Sequence, residues 1–141
     1  MDKRIKGIQH VGYFVRDTDA SVAMFRRLFD MEPKELRSMS AEDTGGTGRF
    51  SFVPVGDVEL ELIELLDANV KSLCGDPAPG ISHIALQVED IEGLVASLAE
   101  RGFRLGYITK QGIFDNGRSK VAYLDPEDTQ GYLVELVEPR A

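Results

Sequence analysis

Two histidines and two glutamates occupy matched positions in a sequence that repeats itself. The segments that begin at Gly7 and at Gly80 both read Gly-Ile-x-His, and their histidines are 73 residues apart (83 minus 10). A glutamate follows each histidine, 51 residues later in the first half and 52 in the second. These four residues are His10, Glu61, His83 and Glu135.

This combination of side chains is typical of a site for a divalent metal ion. Imidazole suits Zn, Co and Ni, whereas carboxylates also bind Mn and Mg. Cys74 is the only cysteine, so a structural zinc site built from thiolates is excluded. Four protein ligands leave one or two positions open in a five- or six-coordinate ion, and an open position allows Lewis-acid chemistry. We therefore expect one divalent ion of the group Co, Ni, Zn, Mn or Mg.

Each of these residues alone also has a structural explanation. A single histidine in an apolar strand is more often hydrogen-bonded than metal-bound, and a glutamate in an edge strand is usually solvated. The metal hypothesis depends on the combination, because both histidines of the chain fall on the same repeat position and each half supplies a matching glutamate.

The pattern around each histidine predicts a strand followed by a helix. Both segments are rich in apolar residues and end at an aspartate, Asp17 or Asp90, which favours a helix N-cap. Apolar residues then recur at helical spacing, and Gly102 suits a left-handed helix end. Three further strands are predicted in each half: Lys34–Met39, Arg49–Val55 and Val58–Leu66, with a tight turn at Gly56-Asp57, then Arg104–Ile108, Lys120–Leu124 and Tyr132–Val137.

The sequence therefore predicts an α+β fold of two tandem βαβββ modules, about 7–67 and 80–139. The Pro- and Gly-rich segment Gly75–Gly80 is the predicted linker. A module of roughly 60 residues is marginal alone, so we expect both to fold as a single domain spanning 1–141. Pseudo-twofold symmetry would then bring the two His–Glu pairs together.

Composition excludes several classes of partner. The 141 residues carry a net charge of −8, which disfavours nucleic acid and anionic membranes. No apolar stretch approaches the roughly 20 residues of a membrane span. The charges at residues 2–6 have no apolar run behind them, so we expect no signal peptide. With a single cysteine, these features favour a cytoplasmic protein.

Three segments resemble the vicinal oxygen chelate superfamily, which includes glyoxalase I, methylmalonyl-CoA epimerase, extradiol dioxygenases and bleomycin-resistance proteins. They are Phe52–Leu62, Gly80–Ala85 and Asp125–Leu136, and the last, with its Pro-x-x-Thr-x-Gly insertion, is most similar to the epimerase branch. The resemblance implies a glyoxalase-like fold, with a curved mixed sheet around a metal site held by the four residues above. It also implies a homodimer.

The resemblance implies an isomerase that removes a proton beside a thioester carbonyl. Glu135 is then the first candidate base, with Glu61 or Glu42 as its partner. Epimerases of this family carry an acidic residue just before the third strand, where this chain has Gly45. Glu42 is a nearby carboxylate and the candidate replacement. A CoA thioester also needs cations for its phosphates, and Lys110, Arg118 and Lys120 are the candidates.

Two other functions fit the same fold. A glyoxalase I-type lactoylglutathione lyase, acting on a hemithioacetal, would use the same His/Glu/His/Glu set. A non-enzymatic small-molecule binding or resistance protein is disfavoured by the intact ligand set. A dioxygenase is least favoured, because iron oxygenases of this kind use two histidines and one carboxylate.

Overall fold

The computed structural model describes residues 1–69, 71 and 78–141. Cys74 and the first three residues of the predicted linker lie outside the described residues. The chain divides into two compact units: a first unit of His10–Ser82, and a second unit of Met1–Gln9 with His83–Ala141. Strand β1 therefore begins in the second unit and ends in the first.

The first unit contains four strands in the order β2-β3-β4-β1, and helix α1 follows β1. Strands β1 and β4 are parallel, whereas β2/β3 and β3/β4 are antiparallel. The predicted tight turn at Gly56-Asp57 is confirmed, since Val55 pairs with Val58. Gly56 has a φ of 61°, in the left-handed region that glycine adopts without strain. The elements are β1 (Ile5–Phe14), α1 (Thr18–Phe29), β2 (Arg37–Met39), β3 (Gly48–Val55) and β4 (Val58–Leu65).

Helix α1 begins and ends at aspartates. The Asp17 side chain accepts a hydrogen bond from the backbone N–H of Ala20, so the predicted N-cap is confirmed. No glycine follows the helix; Asp30 takes the left-handed conformation instead, and its N–H bonds to the carbonyl of Arg26. The ring of Phe25 lies edge-on to that of Tyr13 on β1, at 6.4 Å.

The second unit repeats this arrangement, with strand order β5-β8-β7-β6. Strands β5 and β8 are parallel, and β7 pairs antiparallel with both β8 and β6. Its elements are β5 (Gly80–Val88), α2 (Ile91–Glu100), β6 (Phe114–Asp115), β7 (Ser119–Tyr123) and β8 (Val134–Pro139). Helix α2 covers a core of aliphatic residues: Val88, Ile91, Leu94, Ala122, Leu124 and Leu136.

Both modules have the predicted element order βαβββ, and the α+β fold class is confirmed. Most predicted elements differ from the structure only at their ends. Among the described residues, no helix is both long and apolar enough to cross a membrane.

The predicted strand Arg104–Ile108 is wrong. Leu105 makes only an isolated bridge with Leu124, and residues Tyr107–Thr109 form a 3₁₀ turn. Gly106 packs so closely against the backbone that a Cβ atom there would lie 2.5 Å from the Cα of Asp125. The module instead completes its three strands with the two-residue β6.

Buried Thr109 holds this turn onto β7. Its hydroxyl accepts the backbone N–H of Tyr123 at 2.8 Å, and lies within 3.0 Å of the carbonyl of Gly106 and 3.2 Å of the carbonyl of Tyr123. Thr109 is 2% exposed, so water cannot readily replace these bonds.

The last strand of each module also holds the start of its helix. The Glu64 carboxylate accepts the backbone N–H of Thr18 at 2.7 Å and its hydroxyl at 3.1 Å. In the second unit, Glu138 accepts the N–H groups of Asp90 at 2.9 Å and Ile91 at 3.2 Å. Both carboxylates thus satisfy N–H donors that a helix leaves unpaired at its start, where the helix dipole favours negative charge.

We expect Glu138→Ala to lower the free energy of unfolding by about 1–2 kcal/mol, because it removes this cap from α2. Glu100→Ala is the control, since Glu100 is an exposed carboxylate at the opposite end of the same helix. Urea denaturation measures both. Equal losses in the two variants would contradict the capping role.

We expect Thr109→Val to lower the free energy of unfolding by about 1–3 kcal/mol, because the buried N–H of Tyr123 loses its acceptor and the hydroxyl no longer donates to a carbonyl. Thr109→Ser keeps the hydroxyl and should lose less. Thermal and urea denaturation of both variants check this. A serine variant as unstable as the valine variant would show that the methyl group, rather than the hydroxyl, holds the turn.

Candidate functional site

The four strands of each unit have one face against the helix of that unit. We call the opposite face the site face. Side chains on a strand alternate between faces, so strand register assigns each residue to one of them. In the first unit, Val53 and Leu62 are fully buried on the helix side. His10 and Glu61 lie on the site face. Glu64, three residues after Glu61, lies on the helix side, as predicted.

The first His–Glu pair joins two parallel strands. His10 is opposite Glu59 in the register of β1 and β4, so Glu61 is two residues further along. The His10 Nε2 atom lies 3.2 Å from the Glu61 Oε2 atom. The His10 side chain is 10% exposed and that of Glu61 is 15% exposed, so the pair is largely shielded from water.

The second pair repeats this geometry in the second unit. Ala85 is opposite Glu135 in the register of β5 and β8, which places His83 opposite the residue two before its glutamate. The His83 Nε2 atom lies 2.9 Å from the Glu135 Oε2 atom. This pair is more buried than the first, with side chains 3% and 7% exposed.

Both pairs fit the donor spacing of a metal site. Nitrogen and oxygen ligands about 2.0–2.2 Å from one ion, at angles near 90–110°, lie roughly 3.0–3.5 Å apart. The observed separations of 3.2 Å and 2.9 Å agree with this to within about 0.1 Å. A histidine–carboxylate hydrogen bond has a similar length, so the assignment depends on the matched donor set as well as on distance.

An aromatic residue faces each of the two glutamates across an antiparallel strand pair. Tyr123 on β7 is opposite Glu135, and its ring lies edge-on to His83 at 5.7 Å. Tyr107, from the 3₁₀ turn, packs on Tyr123 with centroids 5.1 Å apart. In the first unit, Phe52 on β3 is opposite Glu61. Sequence analysis missed these residues, because only the antiparallel register reveals them.

The loop before β8 is clamped by Arg104. The backbone N–H and the Nε atom of Arg104 bond to Asp128 Oδ2 at 2.8 Å and 3.0 Å. The guanidinium holds the pKa of the Asp128 carboxyl below its usual range through this hydrogen bond and its charge. The ion pair therefore persists to lower pH than an unperturbed aspartate would allow, and it holds the loop beside the strand that carries Glu135.

The remaining candidate residues lie in a turn and on the helix side of a strand. Glu42 is exposed in the turn before β3, where its carbonyl accepts the N–H of Gly45. The neighbouring Asp43 carboxylate bonds to the N–H and hydroxyl of Ser40, so it closes its own loop. Lys120 forms an ion pair with Glu92 of α2, so this cation lies on the helix side of its strand.

Two known proteins are similar in sequence to this chain. The chain is 32% identical over 133 residues to an ethylmalonyl-CoA/methylmalonyl-CoA epimerase of Cereibacter sphaeroides, covering 92% of this chain and 95% of that protein. It is 34% identical over 93 residues to YqjC, an uncharacterized protein of Bacillus subtilis, covering 64% of each.

Solved structures agree with this relationship. The crystal structure of methylmalonyl-CoA epimerase from Mycobacterium tuberculosis has a TM-score of 0.80 and 25% identity, covering 100% of this chain and 93% of that chain. A variant of the Streptomyces coelicolor epimerase, in complex with 2-nitronate-propionyl-CoA, has a TM-score of 0.77 and 25% identity, covering 97% and 99%.

Residues 9–123 match the model of one protein family. That stretch includes three of the four matched residues, His10, Glu61 and His83, and the resemblance predicted from the sequence is confirmed. The chain belongs to the glyoxalase/bleomycin resistance protein/dioxygenase superfamily, and its relatives include methylmalonyl-CoA epimerases.

Proposed function

We propose that this protein is a divalent-metal-dependent epimerase that inverts the carbon beside a thioester carbonyl, as a methylmalonyl-CoA epimerase does. The observation that carries the proposal is the pair of matched His–Glu contacts, at 3.2 Å and 2.9 Å in the same strand register. An epimerase homologue aligned over 92% of the chain supports the same reaction.

In this proposal all four side chains hold one ion, which makes the two pairs parts of a single site. His10, Glu61, His83 and Glu135 supply two neutral nitrogens and two carboxylates, a donor set that suits Co, Ni, Zn, Mn or Mg. Bound there, a divalent ion stabilises the negative charge that develops on a carbonyl oxygen during proton removal.

The protein's own carboxylates move the proton. One carboxylate oxygen takes the proton from the carbon beside the carbonyl, and the C–H electron pair becomes the new C=C bond as the carbonyl π pair moves to oxygen. A second carboxylic acid on the opposite side then returns a proton to the same carbon, which restores the thioester with inverted configuration. The reaction is an isomerisation and needs no other reactant.

Glu135 is the proposed first base, and Glu61 or Glu42 its partner. A carboxylate held by a metal is a weak base unless one oxygen is free, and a glutamate has a second oxygen for this purpose. Glu61 is the more accessible of the two paired glutamates, at 15% against 7% for Glu135. Glu42 would act from its exposed turn. The single domain, the homodimer and the cytoplasmic location stay predictions within this proposal.

Deuterium exchange at C2 of methylmalonyl-CoA in heavy water tests the function. We expect the metal-loaded protein to catalyse exchange, and Glu135→Gln to slow it by about 100-fold or more, because a proton-transfer group contributes on this scale. Glu138→Gln is the matched control on the same strand; it keeps an oxygen acceptor at the start of α2 and should change the rate less than about threefold.

Other outcomes identify the competing functions. Turnover of the methylglyoxal–glutathione hemithioacetal without exchange at C2 would replace the epimerase by a glyoxalase-type lyase. If the protein catalyses neither reaction with any of the five metals, the result would favour a binding or resistance protein.

A further inference from the structure

Arg37 on the edge strand β2 lies on the same face of the first unit as His10 and Glu61. Arg37 is opposite Phe52 in the register of β2 and β3, and Phe52 is opposite Glu61 in the register of β3 and β4. The next residue, Ser38, has its hydroxyl 2.9 Å from that of the buried Ser51 on the helix side. Because side chains alternate, Arg37 belongs to the site face.

The Arg37 side chain crosses β3 and reaches β4. Its Cζ atom lies 3.8 Å from the centroid of the Phe52 ring, a stacked cation–π contact. Its terminal NH2 nitrogen lies 3.5 Å from the Glu59 Oε1 atom. Glu59 is the register partner of His10, so the guanidinium reaches the strand that carries Glu61, on the face of the first His–Glu pair.

Most hydrogen-bond donors of this guanidinium remain available to a ligand. Arginine has five N–H donors in one plane, and the cation–π contact with Phe52 restricts the movement of this side chain. The contact with Glu59 uses one of these donors at a distance longer than a typical hydrogen bond. The Arg37 side chain is 51% exposed.

The surrounding charges indicate what Arg37 can bind. Glu59 and Glu61 give this face two carboxylates, which would repel an anionic ligand. A planar cation beside them offsets that repulsion and suits a carboxylate or phosphate, whose oxygens match the guanidinium geometry.

We propose that Arg37 binds an anionic group of the substrate beside the His10–Glu61 pair, and so selects thioesters that carry a negative charge. This specificity role rests on the proposed function for the identity of the substrate. A carboxylate on the acyl group and a phosphate on the thiol carrier share the required chemistry. Glu59 holds the guanidinium when no substrate is bound, and the substrate anion displaces it.

Calorimetric titration with three small thioesters separates these possibilities. Malonyl-pantetheine carries a carboxylate, acetyl-CoA carries phosphates, and acetyl-pantetheine carries neither. We expect Arg37→Gln to weaken binding of one of the charged thioesters by about 10- to 100-fold, as for a lost charge-assisted hydrogen bond, and to leave acetyl-pantetheine unchanged. The affected thioester identifies whether Arg37 binds carboxylate or phosphate.

Three further variants sharpen the test. Arg27→Gln removes an exposed arginine from the last turn of α1 and should leave all three affinities unchanged. Arg37→Lys keeps the charge but loses the planar fork, so its affinity should be intermediate. Glu59→Gln removes the competing carboxylate and should not weaken binding of the charged thioester.

The inference is overturned if Arg37→Gln changes all three affinities equally, or none of them, or if Glu59→Gln weakens the charged thioester. Because the readout is binding, this failure is distinct from that of the proposed function. Charge selection without exchange at C2 would retain the role of Arg37 and reject the epimerase, whereas exchange without charge selection would do the reverse.

Discussion

The parallel pairing of the first and last strands brings a histidine and a glutamate together in each module. His10 and His83 each lie opposite the residue two before a glutamate, and only this register brings Nε2 and Oε2 within 3.2 Å and 2.9 Å. A slip of one residue would send a strand's side chains to the other face. The helix and two intervening strands form the crossover that a parallel pair requires.

The last strand of each module serves both faces at once. Glu61 and Glu135 face the candidate site, while Glu64 and Glu138, three residues later, hold the starts of the helices. The same helices cover the apolar core on the other side of the strands. Stability and chemistry are therefore coupled along one strand, because a change in its register would disturb the cap and the ligand together.

The two modules differ in what surrounds their matched pairs. Tyr123 packs on His83 and is itself covered by Tyr107, whereas Phe52 carries the guanidinium of Arg37. The second pair thus has an aromatic ring on its histidine, whereas the aromatic residue opposite Glu61 carries a cation.

Sequence analysis predicted the repeat, both N-caps and the two His–Glu pairs, because local patterns and a constant offset carry that information. It failed at Arg104–Ile108, where a turn forms in place of the predicted strand. Gly106 approaches Asp125 closely there, and the hydroxyl of Thr109 binds the turn to β7. It also missed Arg37, whose importance depends on the register of three strands rather than on any spacing along the chain.

The proposed function requires both His–Glu pairs to bind the same ion, and the stoichiometry of metal binding tests that requirement. We predict that calorimetric titration of the metal-free protein with Zn²⁺ gives one ion per chain. Glu61→Gln and Glu135→Gln should each lower the affinity for that ion, since both carboxylates bind it. Binding of two ions per chain, each sensitive to only one of the substitutions, would contradict a shared ion. Absence of Zn²⁺ binding would contradict it as well.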